Sequence, residues 1–479
     1  MVFNSVIFIF TFLPIFLLIY YFVPVKFRNP VLLVGSIFFY AWGDPTYLIL
    51  MLFSCFFNYY LGKELGDSKK SALDRKKNLI FAVVVNLLIL GFFKYWGFLL
   101  DTINGITGLG LTYPELALPI GLSFYTFKNL SYILDVYMGK TEACRSFFPY
   151  AVYSTMFPHM TAGPIVRYTD IRDQISRRAI NITRLGTGAE LFIKGLSKKV
   201  LLADNLSALY TSVTASGTGS FIGTWIAILA YTLELYFDFS GYSDMAIGLG
   251  QMLGFNFKLN FDYPYISTSV SEFWRRWHMS LGSWFRDYIY IPLGGNRVST
   301  GKHIRNILVV WALTGLWHGA SWNFVFWGVY YGLLLLAEKF LLNRFLEKAP
   351  SVVRNLYTMI AVIIGWVFFS QTTPAAIGKM LSAMVGFGAT CFADRASLYY
   401  LKSGLLLLII SCVASRPGLY QGFKRITKRS TAAAVAINVL LFFLCIAYMI
   451  YNSYTPFMYQ QFYFSLFGGP MIKQRGYRY

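Results

Sequence analysis

The chain has 479 residues, 56% of them hydrophobic, 19% aromatic and only 13% charged, with a mean hydropathy of +0.53. A soluble domain of this length has no interior large enough for so much apolar surface, so the fold class expected is an all-α polytopic membrane protein. The net charge of +21 sits in short loops between apolar runs, the positive-inside pattern, which argues against nucleic-acid binding.

The first 23 residues lack a basic leading region and a small-residue cleavage site, and read as a retained membrane helix. Lys26 and Arg28 follow it, which places the N-terminus outside. Residues 31–61 read as two short spans broken at Trp42-Gly43-Asp44-Pro45. The run 63–77, KELGDSKKSALDRKK, is a cytoplasmic loop, and 79–100 span outward. The loop 101–116 carries Asp101 and Glu115 but no Lys or Arg, so it lies outside. Residues 117–138 return. The stretch 146–166 has basic loops on both sides, so a re-entrant segment broken at Pro158 and Gly163-Pro164 fits better than a crossing. Irregular backbone at that depth needs cover from protein or a water-filled cavity.

Residues 187–203 lead outward to a loop at 204–220, and 221–237 return. The block 238–300, rich in Arg, Trp, Tyr and Asp, reads as short helices in the cytoplasmic interface. Residues 304–338 form a hairpin with basic residues at both inner ends, so His318 falls near its apex, while His303 reads as a loop residue. Spans near 355–370, 402–414 and 432–451 follow, with an outer loop at 371–400 and a basic inner loop at 416–430. The count is about twelve crossings plus re-entrant pieces around a central tunnel, in one domain, 1–479. Its motif-bearing core is 1–335, and 336–479 hold the last helices and an outer-side tail.

Five scattered cysteines with no CxxC, and four histidines (His159, His278, His303, His318), predict neither a disulfide framework nor a metal site. His318 stands in WALTGLWHGASWNFVFW, residues 311–327, among four tryptophans. An ionisable side chain at membrane depth is costly and marks a functional hypothesis, the alternative being a histidine hydrogen-bonded inside a helix bundle. The densest polar unit is FWRRWHMS at 273–280, followed by WFRDYIYIPLGGNR at 284–297. Its composition fits an interface belt. Its arginines, Arg275, Arg276, Arg286 and Arg297, also fit phosphate contacts, with Trp274 and Trp277 as aromatic platforms. A phosphorylated or phosphopantetheine-bearing donor and a lipid headgroup both suit that chemistry.

WRRWHMSLGSWFRDYIYIPLGGNR followed by GLWHGASWNFVFWG resembles the membrane-bound O-acyltransferase family, in its bacterial branch of alginate, cellulose and peptidoglycan O-acetylation proteins and teichoic acid D-alanyl transferases. SIFFYAWGDP, LPIGLSFYTFKNLSYILDVY, MFPHMTAGPI and LELYFDFSGYSDMAIGLG extend the resemblance to about residue 335. It implies a bacterial inner-membrane, multi-pass enzyme that takes acetyl from cytoplasmic acetyl-CoA, without a metal. The acyl group would pass toward an extracytoplasmic SGNH-type acetyltransferase or similar polysaccharide-modifying protein. It implies His318 as the catalytic histidine, His278 as an accessory catalytic residue near the cytoplasmic mouth, and Asp244 as site-shaping. Trp317, Trp322 and Asn323 lie in the same motif. His159 matches a family position, and a capped polar group in a re-entrant turn fits it as well.

Histidine suits the base role because its reference pKa, about 6.5, lies near working pH. Oxyanion donors are sought among the Gly319 and Ala320 N–H groups and the Trp322 indole. The tail PFMYQQFYF, 456–464, resembles a terminal aromatic–Tyr–aromatic motif that would make Tyr459 an acyl relay. The chain runs on for 15 further residues where the pattern usually ends, and an aromatic interface anchor is the other reading. The alternatives to acetyl transfer are D-alanyl transfer from a carrier protein and, in a different class, a transporter or flippase.

Overall fold

The computed structural model describes residues 1–114, 116–451 and Phe457. A π-helical turn at Phe8–Phe12 leads into α1 (Leu13–Phe22), and α2 (Arg28–Gly43) and α3 (Leu48–Gly66) flank the break expected at Gly43-Asp44-Pro45. α4 (Ala72–Thr107) has 36 residues, about 54 Å at 1.5 Å per residue, so it projects beyond a hydrocarbon core of about 30 Å. Its start is set by Ser71, whose hydroxyl accepts from the Asp74 N–H, and its end by Gly108 in the left-handed conformation.

α5 (Leu122–Tyr137) is buried on nearly every face. α6 (Phe147–Thr155) and a short turn at Phe157–His159 form the re-entrant piece, with buried irregular chain up to Val166 and Gly163 at φ +90°. α7 (Tyr168–Ser176) and α8 (Ile182–Ser197) follow. α8 runs through a π-helical turn, Lys198–Ala203, straight into α9 (Asp204–Ala215), so the stretch read as an outer loop is helical for most of its length.

α10 (Phe221–Met252) is the central pillar. The sequence ended this span at 237, because FDFSGYSDMAIGLGQM is too polar for lipid. The helix continues because its acids meet lysines inside the protein. Lys199 Nζ lies 2.7 Å from Asp238 and 2.8 Å from Asp204, and Asp244 is paired by Lys198 at 2.8 Å and Lys194 at 3.2 Å. Charges that cannot face lipid are held by partners in the bundle interior. α8 crosses α10 at two glycine contacts. A methyl on Gly188 would sit 2.6 Å from the Gly248 carbonyl oxygen, and one on Gly195 would sit 2.5 Å from that of Gly241. The backbones touch because neither helix carries a side chain there.

α11 (Val270–Arg276) and α12 (Met279–Phe285) are the short helices expected in the polar block. α13 (Thr300–His318) and α14 (Trp322–Ala337) form the predicted hairpin. His303 is not in a loop but in the first turn of α13, bonded to the Tyr290 hydroxyl at 2.9 Å and to Lys339 at 3.2 Å. α15 (Asn343–Lys348), α16 (Ser351–Ser370) and α17 (Pro374–Met384) follow. α18 (Arg395–Ala414), α19 (Pro417–Arg429) and α20 (Thr431–Tyr451) complete the chain. α17 falls in the segment read as an outer loop, and α19 makes an amphipathic helix of the segment read as a basic inner loop.

Seven of the described helical stretches are long and apolar enough to cross a membrane: α3, α4, α10, α14 with its extension to Lys348, α16, α18 and α20. α1 with its leading turn is a shorter apolar helix, Phe8–Phe22. One apolar cluster is built on α1–α8 and the inner half of α10, the other on α9, the outer half of α10 and α14–α18.

Candidate active site

The hairpin α13–α14 turns at His318-Gly319-Ala320-Ser321, and it brings His318 to the seam between the two clusters. The imidazole is ringed by Trp317, Trp327 and Phe369, at centroid distances of 5.0, 5.0 and 5.1 Å. It remains partly accessible, whereas Trp317 is buried between Phe124 and Phe127. Gly319 N–H closes the last turn onto the Gly315 carbonyl, so it is occupied by the helix end, unlike the oxyanion donor the sequence proposed.

His278 stands on the far side of Trp317, its ring 5.7 Å from the indole and 4.7 Å edge-on to Phe239 of α10. It opens α12 with φ +44°, a conformation unusual for a side chain with a Cβ. Asn260 holds it there. The Asn260 side-chain oxygen lies 3.2 Å from His278 Nδ1 and accepts from the Ser280 hydroxyl at 2.8 Å, and its backbone carbonyl accepts from Met279 N–H at 2.9 Å. With that oxygen as acceptor, Nδ1 carries the proton. A non-glycine φ of this sign is maintained only where the surroundings over-determine it, and such positions cluster at functional sites.

Two groups that the sequence reading passed over complete the site. Lys94 lies in the middle of α4, buried, and its ammonium donates to the Trp317 carbonyl and to Ser123 Oγ. The next residue, Tyr95, donates from its hydroxyl to the Leu316 carbonyl at 2.7 Å. The end of a helix leaves its last carbonyls without intrahelical donors. Lys94 and Tyr95 supply them at the turn that carries His318. His278 and Lys94 are both close enough to act electrostatically on His318. The second group is Glu234 of α10, buried, with one carboxylate oxygen lacking a hydrogen-bond partner.

Lys94 and Glu234 face the same cavity, about 580 Å³, which is also lined by Asp101, Tyr113 and the segment Thr372–Pro374. Phe324 and Phe369, packed at 4.9 Å, line it, and Phe369 also touches the His318 ring. Trp322 stands half-exposed at its edge, and Asn323 is buried, its amide donating to the Phe368 carbonyl at 3.1 Å.

The remaining sequence-predicted residues lie elsewhere. Trp277 is buried against Tyr236, Phe261 and Trp366, and Trp274 wedges among Trp311, Trp327 and Tyr331. Trp277 packs against α10 and α16, and Trp274 against the α13–α14 hairpin. Arg275 is exposed, Arg276 is tied to Glu272 and Asp262 at 2.9 Å each, and Arg286 pairs with Asp287 at 2.8 Å. Burial opposes ionisation of Glu272 and Asp287. Hydrogen bonds from Thr268 and Arg276 to the first, and from Arg286 and Arg167 to the second, outweigh it and hold both below the ordinary carboxylate range.

Asp244 lies one to two turns inward of Phe239, locked by its two lysines. His159 is buried beneath Phe257 at 5.0 Å, and neither ring nitrogen has a partner among the described residues. Tyr459 lies outside the described residues. Phe457, two positions before it, is buried edge-on to Tyr242 at 4.9 Å, under the Lys199 ammonium. Among the described residues no group of three His, Cys, Asp or Glu is arranged to hold a metal ion.

The model of the membrane-bound O-acyltransferase family matches residues 46–377. The probable alginate O-acetylase AlgI of Azotobacter vinelandii is 42% identical over 86% of this chain and 84% of its own length. Its counterpart from Pseudomonas putida is 39% identical over 96% of this chain and 100% of its own. The peptidoglycan O-acetyltransferase of Helicobacter pylori is 31% identical over 93% of this chain and 95% of its own.

Proposed function

The chain belongs to the membrane-bound O-acyltransferase family and is a multi-pass membrane O-acetyltransferase, and we propose that it draws acetyl from cytoplasmic acetyl-CoA at His318 and hands it outward for O-acetylation of an exopolysaccharide of the alginate type. The observation that carries this reading is the placement of His318. It is partly accessible at the hairpin turn, whose next residues, Ala320–Phe324, line the open cavity, and His278 lies across Trp317 from it. The relatives named for alginate and peptidoglycan O-acetylation support a polysaccharide as the final acceptor. The bacterial inner membrane and an extracytoplasmic partner of the SGNH type belong to the same proposal.

In the reaction, an acceptor hydroxyl oxygen attacks the thioester carbonyl carbon while His318 takes the hydroxyl proton. Collapse of the tetrahedral intermediate breaks the C–S bond, and the leaving thiolate receives that proton. Atoms and charge balance without a metal. The acceptor reaches His318 through the outer cavity and the thioester from the cytoplasmic side, where His278, held by Asn260, orients Trp317. Tyr459, if the aromatic tail motif acts as it resembles, takes the acetyl group onward.

General-base catalysis contributes about 10²–10⁴-fold. Purified protein in detergent, given labelled acetyl-CoA and a small alcohol acceptor, is expected to release CoA, and His318→Ala to lose transfer by that factor while inserting normally. Wild-type turnover in the variant sinks the mechanism. Activity only in sealed vesicles points to transport.

A further inference from the structure

A second cavity, about 470 Å³, lies at the cytoplasmic end of α1, away from the hairpin, and is formed by the start of α2 and the chain leaving α7. Three arginines line it: Arg28, Arg177 and Arg178. No acidic residue is among its lining, and among the described residues none of the three forms an ion pair with a carboxylate. Arg276, by contrast, is neutralised by Glu272 and Asp262.

The cavity wall is built rather than loose. Arg178 Nε donates to the Leu253 carbonyl at 3.1 Å and its Nη2 to the Tyr20 hydroxyl at 2.8 Å, and its guanidinium lies 4.5 Å over the Phe255 ring. Asn29 donates to the Ile175 carbonyl at 3.0 Å, which ties the two walls together. Two polar atoms at the site are buried with no hydrogen-bond partner among the described residues, Arg28 Nε and Asn29 Oδ1. A buried guanidinium donor without an acceptor is costly, and an anion would satisfy it.

Val25 gives the cavity an apolar rim; it is 74% exposed, and its near neighbours in the chain, Phe22 and Phe27, are 84% and 47% exposed. An occupant must therefore present an anionic head to arginines and an apolar body to the rim. Uncompensated arginine at this depth, beside the leaflet where anionic lipids gather, is suited to a phosphodiester.

We propose that this cavity is a specific site for the phosphate headgroup of an anionic phospholipid, which staples α1 and α2 to the chain between α7 and α8. It does not depend on the catalytic reading above. The test is thermal unfolding of the full chain in detergent with added phosphatidylglycerol, phosphatidylcholine or inorganic phosphate, together with native mass spectrometry of the lipid-bound species.

Phosphatidylglycerol is expected to raise the unfolding temperature by roughly 2–4 °C over phosphatidylcholine and to leave one retained lipid. Both effects are lost in Arg28→Gln/Arg177→Gln and reduced in Arg177→Gln, whose exposed side chain removes charge without risk to the fold. Arg344→Gln/Lys348→Gln, another cationic pair on the inner side, keeps them. Equal shifts with the two lipids, or a shift that survives the Arg28/Arg177 change, overturns the site. An equal, arginine-dependent shift with inorganic phosphate alone overturns the lipid assignment in favour of a soluble phosphate.

Discussion

The site depends on how closely α13 and α14 approach, and Gly315 tests that dependence. A methyl at Gly315 would lie 2.3 Å from the Phe324 carbonyl oxygen and 3.3 Å from Gly328 Cα, and a methyl at Gly328 would lie 2.4 Å from the Trp311 carbonyl oxygen. Those oxygens are backbone and cannot swing aside. Restoring van der Waals separation requires the helices to part by about 1 Å. Overpacking of this kind costs about 1–3 kcal/mol.

The functional loss is expected to exceed the stability loss, because Gly315 is less than one turn from His318. A shift of about 1 Å in a catalytic group is worth about 10²-fold in rate. Gly315→Ala is therefore expected to cut kcat for acetyl transfer to about one hundredth, with KM for acetyl-CoA little changed, while the protein still inserts. Gly301→Ala is the matched control in the same helix, since a methyl there meets nothing within 4 Å. Acetyl-CoA turnover measured beside thermal unfolding separates the two effects. Near wild-type kcat in Gly315→Ala would refute the claim that the hairpin spacing sets the position of His318.

Three further outcomes follow from the same geometry. Lys94→Met leaves the Trp317 carbonyl without its donor, a buried loss of about 1–3 kcal/mol. It is expected to lower kcat at least tenfold, with part recovered in Lys94→Gln, which restores a neutral donor; equal activity in the two variants would count against the capping role. Asn260→Ala frees His278 from its left-handed conformation, and a kcat loss without change in unfolding temperature is expected from transfer assays. Asp287→Asn removes the carboxylate that Arg167 and Arg286 hold ionised. The folded carboxyl titrates below its unfolded value of about 3.9, so its stabilisation is present above that pH and fades as pH falls through the folded value. Urea melts at pH 7 should show the variant less stable, and the difference should shrink below pH 4.

The hairpin, the broken spans at 42–45 and the re-entrant piece were legible because Gly, Pro and charge punctuate apolar runs there. The continuation of α10 past residue 237 was not. Asp238 and Asp244 look unfit for a membrane helix until Lys199, Lys194 and Lys198 are brought to them from 39 to 50 residues away, and single-residue hydropathy holds no information about that pairing. Lys94 was visible yet passed over. It interrupts an otherwise apolar run, and a lone lysine at that depth demands a partner as firmly as His318 does. Lys128, whose ammonium donates to the Ser154 carbonyl at 2.9 Å inside α5, gives the same signal. The packing of Trp274 and Trp277 was not legible either: next to arginines they read as a ligand platform, and burial of such large rings at a helix junction also lowers the free energy.

These lysines and acids share a design with consequences for the reaction. Lys94 and Lys128 each reach from one helix to a backbone carbonyl in the last turn of another, at Trp317 and Ser154. Lipid cannot supply those hydrogen bonds, so each buried cation stabilises a break in regular structure. The break at His318 is the one that also borders an open cavity. A helix end facing that cavity is open to water, whose exchange with the backbone would let the turn move. Lys94 and Tyr95, consecutive on one helix, hold the carbonyls of Trp317 and Leu316 instead, so the backbone that carries the imidazole stays fixed while its ring remains reachable. A rigid backbone with an accessible side chain is what a general base at a two-sided site needs, and it explains why the cost of burying a lysine beside that base is accepted.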